Sequence, residues 1–355
     1  MSCMNDFRLP AEWERHAFTQ ITWPSLCSDW DYMMAEVEDC YVRLADAIAA
    51  FEPLLIVTDD EPRVRRLLGE TLAARVNFFV CPVNDTWARD HGFFTVSDSG
   101  GDVLLADFQF NGWGLKFAAA KDNLINHNLH NGPLKANPYR SFRKIVLEGG
   151  SIESDGQGTI LTTSCCLMAD NRNWFETKAE AEAMLKDCFN CQRVMWLDHG
   201  ELVGDDTDGH VDTLARLAPS DTIVYVGRPA ESDEQYETLA AMEEELKALR
   251  TAEGKPYRLV ALPCTAPILD KDDGSRLPAT YANFYFVNGA ILMPTYNVPT
   301  DREALAIMSA AFPGLEVVGV DCRALIRQHG SLHCSTMQFP AGVRLSAENA
   351  NQHLK

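Results

Sequence analysis

The chain is short of positive charge. Its 355 residues hold 31 Lys and Arg against 51 Asp and Glu, for a formal net charge of −20. A nucleic-acid partner wants a basic face to neutralise phosphate, so that class of partner is disfavoured. No apolar run approaches the roughly 20 residues that a membrane-crossing helix needs, and no membrane association is expected. The first residues, Met1-Ser2-Cys3-Met4-Asn5-Asp6, lack the basic stretch and apolar core of a secretory signal. Eleven cysteines, an odd number, then predict free thiols in a reducing compartment, the cytoplasm, rather than a disulfide framework. Cys188-x-x-Cys191 lacks a second ligand pair, so a closed zinc site is not expected. Cys165 and Cys166 are expected to pack as small apolar side chains. No Pro/Ser-rich or single-sign linker interrupts the chain, which argues for one domain over residues 1–355.

What the chain does have is apolar bulk, 46% of residues, and a repeated order of elements. Two strands close in sequence are followed by a helix and a third strand. The first clear copy predicts strands at 144–147 and 158–163, a helix at 178–189 and a strand at 193–197. The second predicts strands at 210–217 and 222–226, a helix at 234–251 and a strand at 257–262. The third predicts strands at 282–287 and 290–294 around Asn288-Gly289, a hairpin signal, then a helix at 301–312 and a strand at 315–320. Upstream, 31–51 and 61–74 read as helices, 54–57 and 76–81 as strands, and 93–110 as containing a hairpin. The period is about seventy residues. An α/β fold of radial ββαβ modules follows, with module ends converging on an axis.

The residues with chemical potential stand at those ends. Cys334, in His329-Gly330-Ser331-Leu332-His333-Cys334, offers a nucleophilic sulfur. One cysteine among eleven is usually inert, but the Gly, Ser and His around this one make a polar, open setting. His210, in Asp208-Gly209-His210-Val211-Asp212, offers a proton carrier. On a strand, Asp212 two residues on would share its face. Glu148 follows a strand in Leu147-Glu148-Gly149-Gly150, and is the distant carboxylate best suited to orient the imidazole. Asp90 closes Trp87-Ala88-Arg89-Asp90, where the bland reading is a surface ion pair with Arg89. Several acids around one thiol would hinder its ionisation. They make sense if the substrate brings a delocalised positive charge, and a planar guanidinium matches carboxylates bidentately.

Six stretches then occur in order along nearly the whole chain. They are Pro10-Ala11-Glu12-Trp13-Glu14 with Thr22-Trp23-Pro24; Asn84-Asp85-Thr86-Trp87-Ala88-Arg89-Asp90; Leu147-Glu148-Gly149-Gly150-Ser151-Ile152-Glu153; Gly204-Asp205-Asp206-Thr207-Asp208-Gly209-His210-Val211-Asp212; Tyr281-Ala282-Asn283-Phe284; and Gly330-Ser331-Leu332-His333-Cys334. In them the chain resembles the agmatine deiminase family, within the guanidino-group-modifying superfamily. The resemblance implies a five-bladed α/β-propeller, the pentein fold, with pseudo-fivefold symmetry. It implies that Cys334 attacks the guanidinium carbon, that His210 protonates the departing ammonia and later activates water, and that Glu148 orients His210. Asp90 and Asp212 would hold the guanidinium nitrogens, with Trp87 and Asp206 walling the channel for the aliphatic tail and amine. No metal or organic cofactor is implied. The implied reaction turns agmatine and water into N-carbamoylputrescine and ammonia, in putrescine synthesis, and such proteins often form homo-oligomers.

The chain departs from the family pattern at three places. Asp206 and Asp208 stand where many members have Glu and Asn, Ser151 replaces an Asn, and His329-Gly330-Ser331-Leu332 stands where many have Gly-Gly-Asn-Ile. These changes bear on the tail of the substrate more than on its guanidinium. The rival activities are deimination of peptidyl-arginine, which would usually call for export; deimination of free arginine, for which no dedicated carboxylate-binding cation is evident; and amidino transfer to an amine. The rival outside catalysis is a guanidino-binding propeller that retains only the fold.

Overall fold

Five separate sheets carry the regular structure in a computed structural model whose described residues are 7–346. The chain begins with β1 (His16–Thr22), α1 (Met34–Ala49), β2 (Leu54–Thr58), α2 (Glu61–Ala73) and β3 (Val76–Val80). A short helix α3 (Ala88–His91) leads into β4 (Phe94–Ser97) and β5 (Val103–Gln109), then α4 (Gly112–Leu115), α5 (Ile125–Asn131) and β6 (Tyr139–Val146). The third module is β7 (Ile152–Ser154), β8 (Thr159–Thr163), α6 (Ser164–Leu167), α7 (Lys178–Phe189) and β9 (Arg193–Leu197). The fourth is β10 (Ala215–Ala218), β11 (Thr222–Val226), α8 (Tyr236–Ala248) and β12 (Arg258–Leu262). The fifth is β13 (Tyr285–Val287), β14 (Ala290–Thr295), α9 (Thr300–Ala311) and β15 (Glu316–Asp321), after which β16 (Thr336–Pro340) returns to β1.

In the second to fifth modules the first two strands pair antiparallel and the third joins parallel, across the helix. The first sheet, in order β16-β1-β2-β3, follows the same rule with one helix-strand unit added. Its opening hairpin strand comes from the far end of the chain, so pairing of β16 with β1 ties the two ends together.

Burial grades outward through each sheet. The opening strands β4, β10 and β13 are buried throughout, as are the second strands β8 and β11. The third strands β6, β12 and β15 are mostly half-buried or exposed. Inner strands are thus buried whatever their residue type, as in β8, Thr-Ile-Leu-Thr-Thr, and β10, Ala-Arg-Leu-Ala. The helices cover the outer faces with one apolar stripe each; in α1 it is Val37, Cys40, Tyr41, Leu44, Ala45 and Ile48, at helical spacing.

The repeat phase differs from expectation in one module. Residues 144–147 were expected to open the third module, but β6 ends at Val146 and pairs with β5 as the outer strand of the second. The third module opens on the three-residue β7 instead. Residues 210–217 do not form one strand either. His210 caps a 3-10 turn, Val211–Thr213, and β10 starts only at Ala215, so the shared face of His210 and Asp212 is set by a turn and not by strand alternation. The Asn288-Gly289 hairpin forms as expected, with Val287 opposite Ala290 and Gly289 at φ 87°.

Candidate active site

Each module delivers its chemistry from the same place, the short segment just before its opening strand. Asp90 lies on α3, before β4; Glu148 precedes β7; His210 and Asp212 precede β10; Asn283 precedes β13; Cys334 precedes β16. Three of these segments are 3-10 turns, Gly149–Ser151, Val211–Thr213 and His333–Ser335. All six of these residues are buried. Close approach explains a glycine here. A Cβ on Gly150 would stand 2.5 Å from His210 Nδ1 and 3.0 Å from Asp212 Oδ2.

The Cys334 thiol sits 3.9 Å from Asp212 Oδ2 and 3.4 Å from Asn283 Oδ1, and the Cys334 N–H also donates to Asn283 Oδ1 at 3.3 Å. Burial, then the charges of Asp212 and Asp90, push the thiol well above its usual range. His210 Nδ1 stands 3.7 Å from Asp90 Oδ1, and the Cys166 sulfur lies beside the ring; neither ring nitrogen bonds a protein oxygen or nitrogen among the described residues. Burial disfavours the His210 cation, but Asp90, Cys166 and Asp212 outweigh it and raise the imidazole well above its ordinary range. Asp90 accepts from the Gly150 N–H at 3.0 Å and from Trp113 Nε1 at 2.9 Å, and burial raises its carboxyl. Asp212 Oδ2 is 2.7 Å from His333 Nδ1, while its buried Oδ1 has no protein partner. Burial would raise the Asp212 carboxyl, but the bond to His333 and the charges of His333, His210 and Arg216 hold it low.

Glu148 is near His210 without bonding it. The Glu148 carboxylate, the Cys166 sulfur and the His210 ring nitrogen lie within 4.8 Å of one another. The carboxylate is held instead by Arg172 Nε, at 3.2 and 3.3 Å. Arg172 also donates to Asp208 and to the Thr207 carbonyl, tying Glu148 to the 205–208 loop. Cys166 therefore stands beside the site rather than in plain core packing, and its neighbour Cys165 is exposed. Cys188 and Cys191 are buried with raised thiol ranges, about 12 and about 11, consistent with protonated core packing. Arg89 turns away from Asp90 and reaches Glu12 at 3.3 Å and Gln338 at 2.7 Å, in place of the surface ion pair.

A cavity of about 220 Å³ opens onto Cys334 and Asp90. Trp87, Trp113, Phe117, Asp85, Asp206 and Arg327 are among its walls, so Trp87 and Asp206 stand on the same cavity as the thiol. Gly330 makes room for Trp87, since a Cβ there would lie 2.2 Å from the indole. Burial first raises the carboxyls of Asp85 and Asp206, each to about 6. Arg327 is the one Arg or Lys among the described lining residues, and Asp270 and Asp272 already pair with it. Sequence reasoning missed Asn283, His333, Trp113, Arg172 and Cys166. The first two lay inside quoted motifs; Trp113 and Arg172 meet Asp90 and Glu148 from 23 and 24 residues along the chain, and Cys166 stands against Glu148 and His210, which no local pattern reveals.

Five ββαβ modules that gather a thiol, imidazoles and buried carboxylates at their inner ends define the pentein class of α/β-propellers. The chain belongs, within it, to the Porphyromonas-type peptidyl-arginine deiminase family, whose model matches residues 8–340. It is similar to a Pseudomonas aeruginosa protein named agmatine deiminase, 32% identical over 94% of this chain and 96% of that one. Among solved structures, a Cys-to-Ser variant of the C. jejuni agmatine deiminase with substrate bound is 34% identical, with a TM-score of 0.88 over 95% of this chain and 97% of that one. A Porphyromonas gingivalis structure provisionally named an arginine deiminase is 48% identical, with a TM-score of 0.90 over 95% and 99%.

Proposed function

We propose that the chain is an agmatine deiminase that works through a covalent adduct on Cys334. The carrying observation is the pairing of a buried thiol with a carboxylate, Asp212, whose Oδ1 has no protein partner, beside the buried His210 imidazole. An uncompensated buried carboxylate oxygen calls for an N–H donor, and a guanidinium brings several. Asp90, ranged opposite on the His210 side, takes the other edge of the cation.

The positive substrate offsets the like charges that hold the Cys334 proton, so its arrival ionises the thiol. The thiolate forms a bond to the guanidinium carbon, giving a neutral tetrahedral adduct. The His210 imidazolium passes a proton to one amino group, which leaves as ammonia, and a cationic S-alkylthiouronium remains. Neutral His210 then takes a proton from water as the oxygen bonds to the same carbon. Collapse to the ureido carbonyl breaks the C–S bond, and the adduct's hydroxyl proton passes to the departing sulfur, which restores the thiol. Glu148, anchored by Arg172, supplies negative potential beside His210. The tail end favours an amine over a carboxylate: Asp85 and Asp206 line it, and its one cation, Arg327, is already paired twice. Trp87 and Asp206 are the residues we assign to the tail.

Ammonia release from agmatine, free arginine and a peptidyl-arginine substrate, measured side by side, tests the assignment. Turnover of agmatine at the highest kcat/KM is expected. Turnover confined to the peptide would replace agmatine with a protein substrate.

A further inference from the structure

His333 adjoins the thiol in sequence, and its ring sits in a buried charge cluster, sharing Asp212 Oδ2 with the Cys334 sulfur. Nδ1 lies 2.7 Å from Asp212 Oδ2, and Nε2 lies 2.6 Å from Glu12 Oε2. A neutral imidazole carries one N–H, so only an imidazolium can donate to both of these carboxylate oxygens at once. Glu12 is itself held from its other sides. Arg216 reaches its Oε1 at 2.9 Å, Arg89 its Oε2 at 3.3 Å, and the Phe286 N–H its Oε1 at 2.9 Å. The Tyr285 ring covers the imidazole at 6.1 Å between centroids. The buried axis thus holds five carboxylates, Glu12, Asp90, Glu148, Glu153 and Asp212, against three guanidiniums, Arg89, Arg172 and Arg216. Two imidazoles, His210 and His333, stand among them.

We propose that His333 is a positioning residue for the guanidinium clamp. It takes one oxygen of Asp212, leaves Oδ1 as the only one open to substrate, and screens the adjacent Cys334 thiol from the full Asp212 charge. This deepens the assignment above and rests on a guanidinium occupying the Asp90–Asp212 gap. Asp212 has no other side-chain hydrogen-bond donor among the described residues apart from the distant Cys334 thiol, so without the imidazolium its carboxylate is free to turn. A freely turning clamp loses both affinity and alignment.

The two amide replacements separate geometry from charge. The amide nitrogen of Asn reaches the place of Nδ1, toward Asp212, and that of Gln reaches the place of Nε2, toward Glu12. Both lack the positive charge. In the absence of substrate, His333→Asn and His333→Gln should both slow alkylation of Cys334 by iodoacetamide roughly tenfold at pH 8, because Asp212 then opposes the thiolate unscreened. Toward agmatine, His333→Gln should raise KM roughly ten- to hundredfold, and His333→Asn should do so distinctly less, although Gln is the closer match in size. Melting curves identify any variant that fails to fold, and the other then decides the matter. Alkylation at the wild-type rate, or a Gln variant that binds as well as the Asn variant, would overturn the role of His333. A wild-type protein inert toward agmatine whose variants still show slowed alkylation would overturn the substrate assignment while supporting the placement of His333.

Discussion

At the scale of single residues, the site combines groups that water would keep apart. A thiol whose proton is held by burial, Asp212 and Asp90 has little thiolate at neutral pH. The substrate's cation is therefore part of the nucleophile's activation, and this has a calorimetric signature. Agmatine binding should release close to one proton in the wild-type protein and essentially none in Cys334→Ala, read from binding enthalpies in buffers of different ionisation heat. The sign of the pH profile follows from the same shift. Since the free thiol sits above its ordinary range, kcat/KM should still be rising with pH at pH 8 and not yet level; a plateau reached near pH 6 would contradict the thiol as the resting form. Cys334→Ala should lose roughly ten-thousandfold or more in turnover while still binding agmatine. Asp212→Asn keeps the shape but forfeits a charge-assisted bond to the guanidinium, and should raise KM roughly tenfold or more.

At the scale of elements, the chemistry lives in short turns, and this decides what was legible. The long helices α1, α8 and α9 show in the sequence because a 3.6-residue period accumulates over three or four turns. The strand-helix-strand order followed, and with it the modular fold. The turns Gly149–Ser151, Val211–Thr213 and His333–Ser335 have three residues each and carry no period. So His210 and Asp212 were placed on a strand, and β7, equally short, was overlooked in favour of residues 144–147. The reactive residues themselves were visible through residue type and neighbouring glycines. Their partners were not: that Trp113 bonds Asp90, or that Arg172 rather than His210 takes Glu148, depends on how each module folds back onto its own inner end, 23 and 24 residues along the chain. A glycine in such a turn offers a sharp test. Gly150→Ala adds one methyl group against His210 Nδ1 and the Asp212 carboxylate. Gly150 lies outside the positive-φ region, so backbone strain is not added. Turnover should drop roughly a hundredfold through displacement of the imidazole, with a melting temperature that falls by only a few degrees. A large loss of stability with normal turnover in the surviving fold would place the constraint in packing instead.

At the scale of the molecule, the axis of the propeller is polar where most domains put their most apolar core. Arg216, fully buried on β10, shows how this is sustained. Its Nε donates to Glu153 Oε1 at 2.5 Å, a residue on β7 of the preceding module. Its Nη1 donates to the Phe284 carbonyl ahead of β13, in the following module, and Nη2 meets Glu12 Oε1 at 2.9 Å, from the segment before β1. One planar guanidinium therefore joins the third, fourth and fifth modules to the start of the chain, and through Glu12 to His333 and the clamp. Burying charges is expensive, so such a cluster is a weak source of net stability when intact, yet removal of one member leaves the others uncompensated. Arg216→Ala should accordingly cost roughly 3–5 kcal/mol in urea unfolding, far more than loss of an exposed ion pair such as Lys178 with Asp198, which is worth at most about 1 kcal/mol. Arg216→Lys should recover little, because an ammonium cannot reach Glu153, Glu12 and the Phe284 carbonyl from one planar fork. Equal stability for the Lys variant and the wild-type protein would show that charge alone, without the fork, holds the modules together.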